Sequence, residues 1–332
     1  MQKVAVIGAG FIGQTHIASY KMLENVVVTA VVDANQAVGE KAAAEAGCDW
    51  YTDLSEALCK AEIDIVDICL PTFLHEECVI ASARAGKHVL CEKPVTFTLE
   101  SFDRMAKACE ENRVKFMVAQ VVRWHPEYAR IREMIQNGEL GELRMVYEKR
   151  ISQHPGWSAW FKDPEKSGGG LFDLHVHDID YLYSVFGMPE KVSAVGWKSE
   201  SGCWNHVSSR LTWANGLNAV CEGSIAMTGE FPFSVEFRAN GDKGSINYLF
   251  SAGHNLKDGE NLSEFRYFPQ NTAVHELDIP QCDMYTAELA AFVDAVEQDE
   301  PVPILPIESR KVLEIVMAIK ASLENGGESV RV

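Results

Sequence analysis

Short apolar runs alternate with segments of helical periodicity along the first 120 residues of this 332-residue chain. The runs at 4–7, Val26–Val32 and His88–Cys91 contain few polar residues and lack strict period-two alternation. A helical pattern rich in Ala and Glu, at 37–46, is one of the segments between them. Strands that are apolar on both faces and separated by helices are typical of a parallel sheet with helical crossovers. The pattern predicts an α/β, Rossmann-type, doubly wound domain.

The rhythm changes after Gln120. A helical segment at 127–136 is followed by strand-like runs at 144–151, 192–197, 207–213, 217–222, 233–239 and 245–250. Asn215-Gly216 and Asn240-Gly241 separate two pairs of these runs, and Asn-Gly between strands marks a hairpin. Helical patterns at 285–298 and 307–323 end the chain. We predict a dinucleotide-binding domain at 1–121. We predict at 122–332 an α+β domain with an open, mainly antiparallel sheet for substrate binding and oligomerisation.

Composition and charge exclude several classes of partner. Lys and Arg number 30 against 48 Asp and Glu, a net charge of −18, so polyanions are repelled. Without a basic stripe we expect no nucleic-acid partner and no anionic membrane surface. No apolar stretch reaches the length of about 18 residues that a membrane span needs. Nine scattered cysteines without a C-x-x-C pair, and an apolar run from residue 4 that leaves no room for a signal peptide, predict a reducing, cytoplasmic location.

A glycine-rich segment, Gly8-Ala9-Gly10-Phe11-Ile12-Gly13, leaves the first apolar run and enters a helical pattern. Glycines also mark ordinary turns, but this strand-to-helix context is that of a dinucleotide-binding fingerprint. Gly8 would permit the tight turn, Gly10 the approach of a pyrophosphate, and Gly13 close packing of helix on strand. The helix N-terminus, which includes Phe11 and Ile12, offers N–H groups to the phosphates.

Asp33 ends the second strand run, which is the expected position of a ribose-binding carboxylate. A carboxylate accepts hydrogen bonds from a ribose 2′-hydroxyl but repels a 2′-phosphate. The following Ala34-Asn35-Gln36 supplies no Arg or Lys for such a phosphate. We therefore expect NAD as the cofactor in preference to NADP.

Lys93 lies in Glu92-Lys93-Pro94, directly after the apolar run His88–Cys91. Ligands of open α/β sheets bind at the carboxyl ends of the strands, so Lys93 is a candidate for the cofactor crevice. The alternative is a solvated lysine at a surface turn.

A second candidate segment, 167–180, begins with three glycines and contains two histidines and three aspartates. If it is helical, at roughly 100° per residue, Asp173, His177 and Asp180 share one face and His175 lies opposite. An imidazole beside carboxylates is a proton-transfer group. On a strand, His175 and His177 would instead point to the same side as a metal pair, with Asp178 or Asp180 as third ligand. A capped helix start with partly buried histidines is the third interpretation.

These segments resemble the glucose–fructose oxidoreductase / inositol dehydrogenase (Gfo/Idh/MocA) family almost end to end. The matching segments are 4–13, Pro71-x-x-x-His75, 86–94, Arg123-Trp124-x-Pro126, 138–141 and 168–180. Glu92-Lys93-Pro94 together with the distant Gly-rich Asp…His block is more specific than the glycine fingerprint. The resemblance implies that Lys93, Asp173 and His177 are the catalytic trio. We expect no metal site.

The resemblance and the residues themselves together give a set of expected binding residues. Those expected to line the cofactor, besides the fingerprint and Asp33, are Pro71, Thr72, His75, Glu92, Lys93 and Gln120. Those expected to contact substrate are Lys93, Arg123, Trp157, Asp173, His177 and Asp180. Trp157 lies in an aromatic segment that either covers a sugar face or forms a core cluster. Thr72 departs from the Asn often found there, and His175 from a frequent Gly; His175 either adds a polar group near the site or packs behind the helix.

We expect an NAD-dependent oxidoreductase that transfers a hydride between nicotinamide and a hydroxyl carbon of a sugar, sugar derivative or inositol-like cyclic polyol. His177 would act as general base, Lys93 would stabilise the oxygen, and Asp173 would orient its partners. An NAD-dependent glycoside-processing enzyme, which oxidises a ring hydroxyl transiently, and a non-catalytic NAD-binding sensor or regulator remain open. A metal hydrolase ranks last. We expect a homodimer or homotetramer.

Overall fold

A computed structural model describes residues 1–154, 159–252 and 261–332. The chain divides into two compact units, which are described separately. The first comprises Met1–Trp124 with Cys282–Arg310, and the second comprises His125–Gln281 with Lys311–Val332.

The described residues form helices and strands throughout both units. The strands are β1 Gln2–Ile7, β2 Val26–Val32, β3 Asp49–Tyr51, β4 Ile65–Ile68, β5 His88–Cys91, β6 Phe116–Val118, β7 Leu143–Gln153, β8 Lys191–Lys198, β9 Trp204–Thr212, β10 Asn218–Met227, β11 Ser234–Gly241, β12 Gly244–Ser251, β13 Leu262–Pro269, β14 His275–Glu276 and β15 Val330–Arg331. The α-helices are α1 Phe11–Tyr20, α2 Gln36–Ala46, α3 Leu54–Lys60, α4 His75–Arg84, α5 Leu99–Glu111, α6 Pro126–Gln136, α7 Pro164–Ser167, α8 Val176–Phe186, α9 Met284–Glu297 and α10 Pro306–Glu324. Short 3₁₀ turns occupy Thr72–Leu74, Val121–Trp124 and Ala159–Lys162, and a π-helical turn occupies Leu171–His175.

Six parallel strands form the sheet of the first unit, in the order β3-β2-β1-β4-β5-β6. All four residues of β4 are buried, and three of them are apolar, which explains why the strand lacks the alternation of a half-exposed one. The strand order reverses between β1 and β4, and open α/β sheets bind ligands at such a switch point.

Helix α9 belongs to the first unit although it lies far along the chain. Asp283 begins it by accepting the N–H of Thr286 at 2.6 Å. Its apolar face is fully buried in the core that also contains β1 and α1: Leu289, Phe292 and Val293. The two compact units therefore differ from the predicted contiguous division at 1–121 and 122–332, because this apolar face returns residues 282–310 to the first sheet.

The second unit contains a nine-stranded sheet in the order β14-β13-β12-β11-β7-β10-β9-β8-β15. Neighbouring strands are antiparallel except for β7 and β10, which are parallel. The two Asn-Gly pairs join β9 to β10 and β11 to β12 as antiparallel neighbours, as predicted. Together with the parallel sheet, this mixed and mainly antiparallel sheet confirms the predicted fold class.

The π-helical turn packs against β7, β9 and β10, and α8 follows it against β7. Residues along β9 and β10 alternate between buried and partly exposed, as expected for a sheet with one covered face. None of the helices in the described ranges combines the length and hydropathy that a membrane span requires. All nine cysteines lie within these ranges and are free thiols.

Candidate active site

The glycine-rich loop between β1 and α1 is shaped by two packing constraints. Gly8 has a φ of +97°, and a Cβ there would lie 2.6 Å from the carbonyl oxygen of Cys69. A Cβ on Gly13 would lie 1.9 Å from the carbonyl oxygen of Gly8. Gly10 differs, because a Cβ there would meet no described atom within 4 Å. The space in front of Gly10, at the N-terminus of α1, therefore fits a ligand phosphate better than an internal packing role.

Asp33 is tied to this loop. Its Oδ2 accepts the N–H of Ala9 at 2.8 Å, and its Oδ1 accepts the N–H of Asn35 at 2.7 Å. Each carboxylate oxygen keeps a second lone pair for a ribose hydroxyl. Phe11, beside the loop, is 67% exposed. The residues present thus fit a dinucleotide: N–H groups for phosphate, an open position at Gly10, and a fixed carboxylate.

The predicted cofactor residues follow the ends of parallel strands, which all lie at one edge of the sheet. Gly8 follows β1, Asp33 follows β2, Pro71 and Thr72 follow β4, Glu92 and Lys93 follow β5, and Gln120 follows β6. Glu92 is almost fully buried, and its Oε2 accepts the backbone N–H of Lys93 at 3.0 Å. The backbone N–H of Gln120 donates to Glu288 Oε1 at 2.6 Å.

His75 lies in the interior of the first unit, where it links two loops. Its Nε2 is 2.7 Å from the carbonyl oxygen of Leu70, and its Nδ1 is 3.2 Å from that of Val95. Burial lowers the pKa of His75, although the hydrogen bonds to these carbonyls oppose the shift. A neutral ring carries a hydrogen on one nitrogen only, so it donates to one of these two carbonyls at a time. His75 thereby fixes the turn that carries Pro71 and Thr72.

Arg123 is nearly buried within the first unit, in the 3₁₀ turn after β6. Its Nη1 lies 3.1 Å from Glu308 Oε1, an ion pair that sequence reasoning did not predict. Its predicted substrate contact remains a prediction. Trp157, another predicted substrate residue, lies outside the described residues.

Three glycines set the start of the candidate catalytic segment in the second unit. Gly168 and Gly169 have φ values of +67° and +71°, and a Cβ on Gly170 would lie 2.8 Å from the carbonyl oxygen of Asn205. The π-helical turn Leu171–His175 follows, so the regular 100° spacing assumed from the sequence does not hold from Asp173 to His177. Turns of this kind often occur at functional sites.

The polar residues of this segment differ in how far their side chains are exposed. Asp173 and His177 are partly exposed, whereas Asp180 has no accessible surface. A substrate contact by Asp180 therefore requires local opening of its surroundings. Asp178, also fully buried, faces the sheet rather than solvent, as its contact with β7 shows.

His175 packs behind the helix, one of the two roles expected for it. It is fully buried, with Nε2 2.8 Å from Ser209 Oγ and Nδ1 3.7 Å from Cys221 Sγ. Burial, assisted by the charge of His206, lowers the pKa of His175 to about 3, so the ring is neutral. The metal-pair interpretation required His175 and His177 on a strand, but the segment is helical.

A buried charged network supports α8 from below. Arg150 Nε donates to Asp178 Oδ1 at 2.8 Å, and Arg150 Nη2 donates to the hydroxyl oxygen of Tyr128 at 3.2 Å. Glu148 is fully buried beside them, and burial, together with the charge of Asp178, raises the pKa of Glu148 well above its ordinary value. Sequence reasoning missed this network, although Glu148 and Arg150 lie at every second position from Val146 and so share its face of β7.

Comparison with known proteins places the chain in a family. Residues 2–120 match an oxidoreductase family with an NAD-binding Rossmann fold, and residues 128–247 match the C-terminal domain of Gfo/Idh/MocA proteins. The chain belongs to the Gfo/Idh/MocA family. This membership confirms the resemblance seen in the sequence. It also confirms that the first unit belongs to an NAD-binding class of domains.

Relatives within the Gfo/Idh/MocA family carry several activities. The chain is 32% identical to 2,7-anhydro-N-acetylneuraminate hydratase of Escherichia coli over 259 residues, which are 74% of this chain and 67% of that protein. It is 32% identical to inositol 2-dehydrogenase of Rhizobium meliloti over 254 residues, 74% of either protein. The aligned region spans only 51% and 53% of two other curated relatives.

A solved structure shows the same architecture over the whole length of this Gfo/Idh/MocA protein. An aldose-aldose oxidoreductase from Caulobacter crescentus superimposes with a TM-score of 0.87, covering 100% of this chain and 99% of that one. At 19% identity, this likeness demonstrates the fold alone.

Proposed function

We propose that this protein is an NAD-dependent dehydrogenase that acts on a hydroxyl carbon of a sugar, sugar derivative or cyclic polyol. The observation that carries the proposal is its relation to inositol 2-dehydrogenase over 74% of both chains, with Lys93, Asp173 and His177 present. Asp33 and the absence of a basic residue at 34–36 favour NAD over NADP.

Three side chains have proposed catalytic roles. NAD, when bound, supplies the hydride acceptor. His177 takes the proton of the substrate hydroxyl, since an imidazole exchanges protons near neutral pH and this side chain is partly exposed. Lys93 donates a hydrogen bond to the same oxygen and stabilises its developing negative charge. Asp173 orients its partners by accepting hydrogen bonds.

Replacing His177 tests the proposal at the base. We expect His177→Ala to lower kcat by about 10²–10⁴-fold, because a general base contributes on that order, with the NAD Kd unchanged. Steady-state NADH formation and calorimetric NAD titration measure the two quantities. His275→Ala, which removes an exposed histidine of β14, is the matched control. Unchanged turnover in His177→Ala would refute this role.

A redox-neutral reaction on a sugar derivative is the second candidate. It is favoured by the Escherichia coli relative, which is named a hydratase of an anhydro sugar acid and matches at the same 32% identity as the inositol dehydrogenase. A panel of sugars, polyols, glycosides and anhydro sugars, assayed for NADH and for products by mass spectrometry, separates the two candidates. Net NADH supports the dehydrogenase. Product without net NADH supports the alternative.

We also propose a cytoplasmic location and a homodimer or homotetramer. The nine free thiols are compatible with a reducing compartment. Light scattering coupled to gel filtration measures the number of subunits, and a monomeric mass would contradict the oligomer.

A further inference from the structure

A buried histidine of the first unit lies between two carboxylates. His16, on α1 one turn after Gly13, has no accessible surface. Its Nδ1 is 2.8 Å from Asp67 Oδ2 on β4, a hydrogen bond. Its Nε2 is 3.2 Å from Glu92 Oε1, an ion-pair contact whose angle departs from that of an aligned hydrogen bond. The helix of the glycine-rich loop is thus linked to the segment that carries Lys93.

The surroundings of His16 favour a doubly protonated ring. Ionised carboxylates only accept hydrogen bonds, so carboxylates near both ring nitrogens stabilise the form with a hydrogen on each. Burial lowers the pKa of His16, but Cys69 and Asp67 raise it, and the net pKa lies well above the ordinary value. The titratable groups near the ring come from β4 and the residue after it, the segment after β5, and α9: Asp67, Cys69, Glu92, Tyr285 and Glu288.

Glu92 transmits this contact to the backbone. While Oε1 faces His16, Oε2 accepts the N–H of Lys93 at 3.0 Å, and the N–H of Glu92 donates to the carbonyl oxygen of Ile68 at 3.0 Å. The side chain of Glu92 therefore fixes the first peptide of the loop beyond β5. Burial is the main cause of the raised pKa of Glu288, and the nearby charge of Glu92 raises that pKa further.

We propose that His16 is a positioning residue: as an imidazolium between Asp67 and Glu92, it holds the Lys93 loop against the helix of the nucleotide fingerprint. Its effect on turnover rests on the proposed function, in which Lys93 stabilises the substrate oxygen. A displacement of about 1 Å at a reacting group lowers rates by about 10²-fold, so a loosened loop reduces kcat.

A metal ion is the competing explanation for this cluster. Ligand atoms of His16, Asp67 and Cys69 lie within 4.8 Å of one another. Ligands about 2 Å from a tetrahedral ion stand about 3.3 Å apart, however, whereas Nδ1 and Oδ2 are 2.8 Å apart, a hydrogen-bond separation.

Two amide variants separate the two contacts of His16. The amide nitrogen of Asn occupies the position of Nδ1, and that of Gln the position of Nε2. His16→Asn thus keeps a donor toward Asp67, whereas His16→Gln keeps one toward Glu92. We expect kcat to fall about 10- to 100-fold in His16→Asn and about threefold or less in His16→Gln. A merely structural role would lower kcat in proportion to Tm in both variants.

Hydrogen exchange at the Lys93 amide supplies a readout that needs no substrate. We expect exchange to be about tenfold faster in His16→Asn, because Glu92 loses its anchor, and unchanged in His16→Gln. Ser82→Ala, which removes a buried hydroxyl that donates to the carbonyl oxygen of Cys78 at 2.7 Å, is the matched control and leaves Lys93 exchange unchanged. Should no substrate in the panel turn over, the proposed function fails while this measurement still decides the role of His16.

Three results would overturn the proposal. They are equal kcat losses in the Asn and Gln variants, unchanged Lys93 exchange in His16→Asn, and a stoichiometric metal ion in the purified protein.

Discussion

Asp33 shows how one side chain both shapes a loop and selects a cofactor. Its oxygens already hold the N–H groups of Ala9 and Asn35, so the carboxylate is oriented without a ligand. A ribose diol can donate to the remaining lone pairs, whereas a 2′-phosphate would place like charges together.

The charge of Asp33 can be removed while its shape is kept. We expect Asp33→Asn to raise NADP affinity relative to NAD by about tenfold, because the repulsion is lost and one acceptor oxygen remains. Calorimetric titration with both cofactors measures the ratio. Asp53→Asn makes the same chemical change at the start of α3, where Asp53 accepts the N–H of Glu56, and serves as control. A ratio that stays at the wild-type value would show that Asp33 does not discriminate.

Residue types indicated the chemistry better than the surroundings of each residue. His175 and His177 are two positions apart in sequence, yet one is fully buried beside Ser209 and the other is partly exposed. Periodicity placed them on different faces, but only the structure shows that burial holds His175 neutral. The role of His16 could not be recognised from the sequence, because its carboxylate partners come from β4 and from the segment after β5.

At the scale of elements, the glycines in the strand–loop–helix of the nucleotide fingerprint have different roles. Gly13 is required by the protein itself, since a Cβ would overlap the Gly8 carbonyl oxygen at 1.9 Å. Gly10 is not, since a Cβ there would meet no described atom within 4 Å. Identical glycine-to-alanine changes should therefore have opposite consequences.

Comparing Gly10→Ala with Gly13→Ala tests this division. We expect Gly13→Ala to lower the free energy of unfolding by about 1–3 kcal/mol through overpacking. We expect Gly10→Ala to leave stability within about 0.5 kcal/mol and to weaken NAD binding by about tenfold, since its methyl group would occupy ligand space. Denaturant titration and NAD calorimetry measure both properties in each variant, and each variant is the control for the other. Equal destabilisation by the two changes would contradict the assignment.

Elements were predicted well where periodicity is regular. Strands β2 and β5 have the bounds that their apolar runs indicate, and the Asn-Gly pairs mark two hairpins. The π-helical turn at Leu171–His175 was missed, because the templates of 3.6 and 2 residues per period contain no such turn. Strand β3, with three residues, is too short for periodicity to show.

At the scale of the whole molecule, the first unit is built from two distant stretches of chain. Sequence periodicity identified helix α9 but not the unit in which it packs, because packing partners are set by long-range shape complementarity. The buried face of α9 completes the core under the parallel sheet, with Phe292 fully buried. Any description of the first unit as residues 1–121 leaves out part of its core.

Two buried phenylalanines test this composition of the units. We expect Phe292→Ala to lower the free energy of unfolding by about 3–5 kcal/mol and to speed hydrogen exchange in β1 and β4. Phe237→Ala, a fully buried residue of β11 that contacts Tyr128 and Tyr181, should instead speed exchange in β7 and β10. Peptide-level exchange monitored by mass spectrometry locates each effect. Faster exchange of β10 rather than β1 in Phe292→Ala would place α9 with the other unit.

Because a late segment of the chain belongs to the first unit, this unit cannot complete its fold until that segment has been synthesised. Units fold as wholes while the chain emerges from its N-terminus. The six strands of the first sheet have all been made by residue 118, but the helix that closes their core begins at Met284. The second unit likewise takes in residues 311–332. Both units thus need residues beyond 281, and a protein that is released from the ribosome before residue 282 lacks part of each core.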